Sequence, residues 1–489
     1  MVCNQSTATR DAGTPAKGET IMRHFRVGAV VVTAAIFTLS GLTPTPGAAA
    51  TRTAEQGVTK KEIVVVSLVA DLDGLRDKGL IQQPKLTTAN LTKRWQGFLD
   101  SYGKVNGRNV KLETVVWDPL DTTTYSRACA EITQDIKPFV VLNSAGFRQS
   151  DVPCVTIDGG TPMFSGDPMF QQLLDESDGR LWSMMPPADV MGKGTADIVS
   201  DQGIVPKGAK VGILSSNDAG VKAAGDALEE QLKKNGYDVA TKVEVNQLSG
   251  DASAANRESA AAVATFEAAG VDVVFDGIPF IYTSGFFQEA QRSNAGFTTF
   301  VIDDSPSMCT IFGASRIPAE VVGTPCLTAS DTRALPTKDG VKPDSDFEAE
   351  CRTVFDETFD EKSQPGVPSG DVTAGGVTYV EDVDMSYCNI ASLLMPAIKK
   401  AGKNLTWAKV VKNLEKTGTA PAAYLSGGEG SLGKNKHYFA DQVHLVTLNP
   451  AGTDTPKDAN GLFNGCPAPV PCFVPQLVDG EEWFPVSQK

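Results

Sequence analysis

The sequence predicts an α/β protein with two parallel-sheet lobes. Three observations predict this fold: short runs rich in β-branched residues alternate with helical patterns, the series stops at Pro186-Pro187, and it then begins again. Strands that alternate with helices of this length indicate βαβ crossovers and therefore parallel sheets. A chain of 489 residues also exceeds the size of one compact core.

The first series contains apolar runs such as KEIVVVSLV, which are typical of strands buried on both faces of a sheet. The predicted strands lie at 61–69, 110–117, 138–142 and 153–157. Amphipathic patterns between them predict helices at 84–105 and 123–136.

The second series repeats the rhythm. Its predicted strands lie at 210–214, 238–246, 271–276 and 298–302, and its predicted helices at 188–202, 220–235, 253–269 and 282–294. Beyond residue 330 the patterns predict helices near 347–359, 377–401 and 405–416, a strand at 442–449, and an irregular proline-rich tail at 467–475.

Residues 22–50 have the layout of a secretory signal peptide. An apolar run follows a basic stretch, and Ala48-Ala49-Ala50 provides the small residues that signal peptidase recognises. The run is shorter than the roughly 20 apolar residues of a membrane-spanning helix. We expect cleavage after Ala50 and a mature protein that is secreted, periplasmic or on the exterior of the cell envelope. A start of translation at Met1 or at Met22 is compatible with this layout.

Eight cysteines follow the predicted cleavage site, and an even number in an exported chain indicates disulfides. The sequence leaves their connectivity open, and local loop closure favours pairing of neighbours along the chain. That hypothesis gives the bridges Cys129–Cys154, Cys309–Cys326, Cys351–Cys388 and Cys466–Cys472. The sequence has no Cys-x-x-Cys motif, and His437 and His444 are the only histidines beyond the signal, so we expect no metal site.

The charge and the motifs exclude several functions. The chain has 44 Lys and Arg against 59 Asp and Glu, and this net charge of −15 repels nucleic-acid phosphates. The sequence lacks the phosphate loop, the dinucleotide-binding glycine motif, the metalloprotease histidine pair and the nucleophile turn of hydrolases. We therefore expect a non-enzymatic protein that has no cofactor and binds no nucleic acid.

Five segments, in this order along the chain, resemble one known family. They are GVTKKEI with VVVSLV at 57–69, NGRNV at 106–110, PFVVLNSAG at 138–146, KVGIL at 210–214 and YVEDVDMSYCNIASLLMPAIKKAG at 379–402. The family is that of the branched-chain amino-acid-binding proteins, the type I periplasmic substrate-binding proteins of ABC transporters. The resemblance covers nearly all of residues 57–450.

The resemblance implies two doubly wound parallel-sheet lobes that are joined by crossover strands and close like a trap. Lobe 1 would comprise 57–185 and 330–425, and lobe 2 would comprise 186–329 and 426–466. A proline-rich tail, 467–489, has no counterpart in the family and stays unexplained.

The resemblance also implies a set of ligand-binding residues, each of which has a loop or helix-capping role as its alternative. Two loops of lobe 1 would hold a ligand carboxylate, a segment of lobe 2 would supply an aromatic wall, and an acid would pair with an ammonium group. In that order these residues are Asn143, Ser144, Ala145 and Gly146 with Thr161, then Phe280 and Tyr282, then Asp303 or Asp304. Asp71 is a further candidate, because it follows the first strand and ligands bind at the carboxyl ends of parallel strands.

The implied function is that of an exported, monomeric solute-binding protein. It would capture an amino acid or a related apolar or aromatic carboxylate and deliver it to an ABC transporter permease. A ligand-sensing receptor ectodomain on the same fold is the main alternative, and a companion sensor-kinase gene would favour it. An exported hydrolase that uses an acid pair is the other alternative, and turnover of a ligand would favour it.

Overall fold

A computed structural model of the protein describes most of the chain beyond residue 54. The described residues are 55–78, 86–144, 146–247, 252–303, 309, 323–331, 343–360, 362–363, 373–374, 377–378, 385–450, 466 and 471–486. The predicted signal peptide, Ala145 and Asp304 lie outside the described residues, as does the side chain of Phe280.

The first lobe is built on five parallel strands, which are β1 Glu62–Ala70, β2 Asn109–Trp117, β3 Val140–Asn143, β4 Met163–Ser165 and β5 Leu181–Ser183. They pair in the order β2-β1-β3-β4-β5. The helices between them are α1 Leu72–Asp77, α2 Thr88–Asp100, α3 Thr122–Ala130 and α4 Gln171–Glu176. Val65, Val66 and Leu68 of β1 are almost completely buried, as a strand covered on both faces should be.

The second lobe repeats this arrangement with β6 Lys210–Ser216, β7 Asp238–Val245, β8 Val273–Asp276, β9 Thr298–Ile302 and β10 Pro325–Thr328. These strands are parallel and pair in the order β7-β6-β8-β9-β10, which matches the first sheet position by position. The helices of this lobe are α5 Ala188–Asp201, α6 Ala219–Lys234, α7 Ala252–Ala269 and α8 Phe280–Ser293. The α/β fold class with two parallel-sheet lobes is therefore confirmed.

The remaining elements divide between the two lobes. They are α9 Asp346–Phe359, α10 Ser386–Ala401, α11 Trp407–Leu414, β11 Thr373–Ala374, β12 Val377–Thr378, β13 Gly418–Pro421, β14 Glu429–Leu432, β15 Gln442–Asn449, β16 Cys472–Gln476 and β17 Phe484–Pro485. Helices α9 and α10 pack against α2 of the first lobe. Strand β15 extends the second sheet by pairing antiparallel with β10.

Polar residues at the helix starts explain several of these boundaries. Thr87 accepts a hydrogen bond from the Asn90 backbone and begins α2, later than the predicted start at residue 84. Ser345 and Glu348 form a reciprocal capping box that begins α9. Each cap satisfies backbone N–H groups that have no partner within the helix.

Among the described residues, segments that connect the lobes lie at 184–187, 329–331 and 433–441. The described parts of these segments run beside neighbouring strands and loops. Phe439 N donates to Ser183 O, which ties the third segment to the start of the first. Ser426 N donates to Ala329 O, so the second segment lies against the turn before β14. These segments therefore lie together where the chain passes between the lobes.

The eight cysteines form four disulfides, Cys129–Cys154, Cys309–Cys326, Cys351–Cys388 and Cys466–Cys472. These are the pairs that neighbour pairing predicts. The bridge between Cys351 and Cys388 joins α9 to α10, so it fastens the returning segment of lobe 1 to itself.

Three sequence predictions are wrong. The helix predicted at 377–401 begins only at Ser386, and residues 377–378 form strand β12 instead. The expected strand at 153–157 is a π-helical turn, Cys154–Asp158, which Pro153 precedes with helical backbone angles. A short apolar run does not distinguish strand from helix, and proline is tolerated in a first helical turn. The tail is not irregular throughout, because β16 pairs with β15 at the edge of the second sheet. Pro475 fits there because an edge strand can lack one N–H donor.

Candidate ligand-binding cleft

The parallel sheets direct the carboxyl ends of their strands toward each other. In doubly wound sheets, ligands bind at this edge, where the strand order reverses. The loop after β3 reaches the start of α6 in the other lobe. Ser150 N donates to Asp218 Oδ2 over 3.1 Å, and Ala219 N donates to Ser150 Oγ over 3.0 Å. These bonds hold the lobes in contact across the cleft.

The side chain of Gln149 occupies the centre of this contact. A Cβ atom on Gly220 would lie only 2.0 Å from Gln149 Cδ, so the amide rests directly on the first turn of α6. Gln149 Oε1 also accepts a hydrogen bond from Phe170 N over 3.0 Å. The missing side chain at Gly220 therefore permits the close approach of the lobes.

A narrow pocket opens beside Gln149, between α5, α6 and the second sheet. Its free volume of about 20 Å³ is enough for a single water molecule. Its walls are mainly apolar, with Met191, Ile213, Leu214, Val221, Leu228 and Ile302 among them. This space is too small for an amino acid.

The structure brings three of the predicted lobe 1 residues together at the end of β3. Asn143 is completely buried, and its Nδ2 donates to Ser165 Oγ over 2.9 Å and to Asp167 Oδ2 over 3.2 Å. Ser144 Oγ lies 3.1 Å from the hydroxyl oxygen of Tyr387 in α10. Gly146 adopts a φ of +87° and its N–H also donates to the carboxylate of Asp167.

Two predicted residues lie elsewhere or have another partner. Thr161 precedes β4, at the edge of the sheet opposite the cleft, and its Oγ1 accepts from Gln56 Nε2 over 3.1 Å. Because the expected strand before Thr161 is a helical turn, the strand follows this residue, and a ligand-binding role for Thr161 stays a prediction. Asp71 caps α1 by accepting from Gly74 N over 2.9 Å.

The second lobe contributes Asp303 and Tyr282. Asp303 follows β9, is 1% exposed, lines the pocket and accepts a 2.8 Å hydrogen bond from Thr328 Oγ1. Tyr282, in the first turn of α8, donates from its hydroxyl to Gln247 O over 3.0 Å. Burial raises the pKa of Tyr282 to about 12. The backbone of Phe280 forms the start of α8.

Charged groups gather where the lobes touch. Arg148 lies over the ring of Tyr125, 3.5 Å from its centroid, and its Nε donates to Asp151 Oδ2 over 2.8 Å. Burial raises the pKa of Asp151, and the nearby carboxylate of Asp218 in the other lobe raises it further, against the opposing effect of Arg148. Closure therefore places like charges near each other.

Asp276, at the end of β8, is a buried acid that the sequence analysis did not single out. Its Oδ1 accepts from Ile278 N over 3.1 Å and lies 3.4 Å from Thr283 Oγ1, whereas its buried Oδ2 has no hydrogen-bond partner among the described residues. Burial raises the pKa of Asp276 to about 7. Its position directly before Gly277, at a strand end, was the available sequence signal.

Several solved structures share this fold. An ABC-transporter solute-binding protein from R. palustris, in complex with 4-hydroxybenzoate, is 14% identical with a TM-score of 0.55, covering 83% of this chain and 96% of that chain. A fatty acid ABC transporter substrate-binding protein from Thermomonospora curvata is 14% identical with a TM-score of 0.56, covering 81% and 91%. A branched chain amino acid ABC transporter from Thermus thermophilus, with bound valine, is 13% identical with a TM-score of 0.56, covering 85% and 97%.

These likenesses show that the chain has the type I periplasmic-binding fold of ABC-transporter solute-binding proteins. No protein-family profile and no curated protein sequence matches the chain. Among the described residues, no group of three or more His, Cys, Asp or Glu side chains is arranged to hold a metal ion. No helix in the described ranges is long and apolar enough to cross a bilayer.

The buried carboxyl group of Asp276 predicts a specific pH dependence of stability. A folded-state pKa raised from 3.8 to about 7 means that wild-type stability falls as pH rises through this interval. Asp276→Asn removes the titration of this carboxyl group. The free energy of unfolding of the variant relative to wild type should therefore increase by about 3 kcal/mol between pH 4 and pH 7. Urea denaturation measures this, with the exposed Asp272→Asn as control, and a pH-independent difference would contradict the prediction.

Proposed function

We propose that this protein is an extracytoplasmic solute-binding protein that delivers a small molecule to an ABC transporter permease. The observation that carries the proposal is the contact between the carboxyl edges of two identically ordered parallel sheets, at Ser150 and Asp218. A ligand held at this contact would touch both lobes and so favour their closed arrangement. This function consists of binding and release and includes no chemical step. We also propose that the protein acts as a monomer.

We propose an amino acid or a related apolar or aromatic molecule as the solute. The mainly apolar walls of the pocket beside Gln149 support an apolar body for the ligand. Asp303, the buried acid on the same pocket, supports a polar group that donates hydrogen bonds, such as an ammonium. Two of the similar structures contain small molecules of these classes, 4-hydroxybenzoate and valine.

Calorimetric titration of the fragment 51–489 tests the proposal. The panel contains branched and aromatic amino acids, their amides and amines, aromatic acids and fatty acids. A one-to-one isotherm without turnover of the ligand supports a binding protein. Turnover of any member would instead support an enzyme, and silence across the panel from folded, ligand-free protein would count against the proposed solute class.

The role of Asp303 predicts a selective loss of affinity. If its carboxylate accepts from a ligand ammonium, Asp303→Asn should weaken the binding of ammonium-bearing ligands by about 10- to 100-fold, since the amide oxygen still accepts a hydrogen bond but the charge of the acceptor is lost. Binding of ligands without that group should change little. Asp272→Asn is the matched control, because Asp272 is exposed and precedes β8, at the edge of the sheet opposite the cleft. Equal loss in both variants would remove Asp303 from the site.

The contact between Gln149 and Gly220 predicts a coupled effect on closure. A methyl group in Gly220→Ala collides with the Gln149 amide, so it should weaken ligand affinity, although alanine favours the helix by about 1 kcal/mol. In a Gln149→Ala background the collision is absent, and the same substitution should have little effect. The four affinities from calorimetry form a double-mutant cycle, and additive effects would show that closure does not use this contact.

A further inference from the structure

The loop after β4 places a carboxylate on the donors that lie at the end of β3. Asp167 is 6% exposed, and its Oδ2 accepts from Asn143 Nδ2 over 3.2 Å and from the N–H of Gly146. These are the donors that a ligand carboxylate would use in the loop 143–146. In this structure the chain itself supplies the anion.

The position of Asp167 is fixed by its surroundings. A Cβ atom on Gly166 would lie 1.9 Å from the carbonyl oxygen of Ser144, so glycine is needed for the two loops to meet. Gly166 N donates to Asn143 O over 2.8 Å, and Asp167 N donates to Ser165 Oγ over 3.2 Å. The carbonyl oxygen of Asp167 accepts from Ser183 Oγ over 2.7 Å. The carboxylate is therefore held in place before any ligand arrives.

We propose that Asp167 is an internal substitute for a ligand carboxylate, and that it makes the cleft select solutes with a neutral amide or an amine headgroup over the corresponding acids. The selection rests on the proposed solute-binding function. A ligand carboxylate at the loop 143–146 would have to share the donors of Asn143 and Gly146 with Asp167. The two carboxylates would then lie close together, and their like charges would repel each other.

The charges around the loop act in the same direction. Asp303 and Asp218 add buried carboxylates from the second lobe, with 1% of each residue exposed. Arg148, the cation that follows this loop in the chain, donates to Asp151. Negative groups at a desolvated site favour a cation or a neutral donor over an anion.

Acetate is a probe of the loop that needs no knowledge of the natural ligand. Asp167→Ala leaves the donors of Asn143 and Gly146 without this acceptor, so acetate should bind there and stabilise the variant. We expect 100 mM acetate to raise the Tm of the variant by about 2 °C or more relative to chloride of equal ionic strength. The wild type and the control Asp189→Ala should show no such difference. An equal response in all three proteins, or none in Asp167→Ala, would overturn the proposal.

Ligand selectivity provides a second readout, and it uses a variant that retains a hydrogen-bond acceptor. Asp167→Asn should shift the ratio of affinities for 4-hydroxybenzoate and 4-hydroxybenzamide at least tenfold toward the acid, and the ratio for valine and valinamide in the same direction. Unchanged ratios would overturn the proposed selection. If no member of these pairs binds any variant, the proposed solute class is wrong. The acetate experiment would still test whether Asp167 occupies the donors of the loop 143–146, because it does not depend on the natural ligand.

Discussion

The cleft depends on the parallel pairing of β1 with β3 in one lobe and of β6 with β8 in the other. Parallel pairing makes the carboxyl ends of neighbouring strands meet at one edge, and the crossover helices cover both faces of each sheet. That edge offers backbone groups and loop side chains that the helices do not cover. The same strand order in both lobes places two such edges in the molecule, and the connecting segments let them meet.

Where the two lobes touch, some interactions favour the contact and others oppose it. Gln149 fits against Gly220 and Ser150 bonds to the start of α6, which favours contact between the lobes. Burial of acids works against contact, because Asp151 and Asp218 approach each other across the cleft. A ligand that donates hydrogen bonds to this edge would shift the balance toward closure. The proposed role of Asp167, in the first lobe, also favours ligands that donate hydrogen bonds over anionic ligands.

The last described segment of the chain packs beside the segments that connect the lobes. Trp483 stacks on His444 of β15 with ring centroids 3.9 Å apart, and His444 Nε2 donates to Ser330 O, in the second connecting segment, over 2.8 Å. Strand β17 pairs with the beginning of β15. The tail that the sequence analysis could not explain therefore packs where the chain passes between the lobes. Its proline-rich composition gave no sign of this, since the partners are distant in sequence.

The sequence predicted long, continuous strands well and short or mixed segments poorly. Strands at 298–302 and 442–449 have the predicted bounds, because β-branched runs bounded by polar residues leave little ambiguity. Strands β4 and β5 have three residues each, too few for any periodicity, so the sequence pattern indicates neither of them and predicts a strand at 153–157 in their place. That error moved the expected second site loop to Thr161, although the loop after β4 contains Asp167.

The distance between the lobes tests the central claim most directly. Paramagnetic labels carried by unnatural amino acids at Asp135 and Ser293, which are exposed on different lobes, leave the native disulfides intact. Pulsed dipolar spectroscopy then measures the distribution of distances with and without the ligand found by calorimetry. If the ligand drives closure, saturating ligand should narrow the distribution to its shorter distances. A distribution that saturating ligand leaves unchanged would contradict ligand-driven closure.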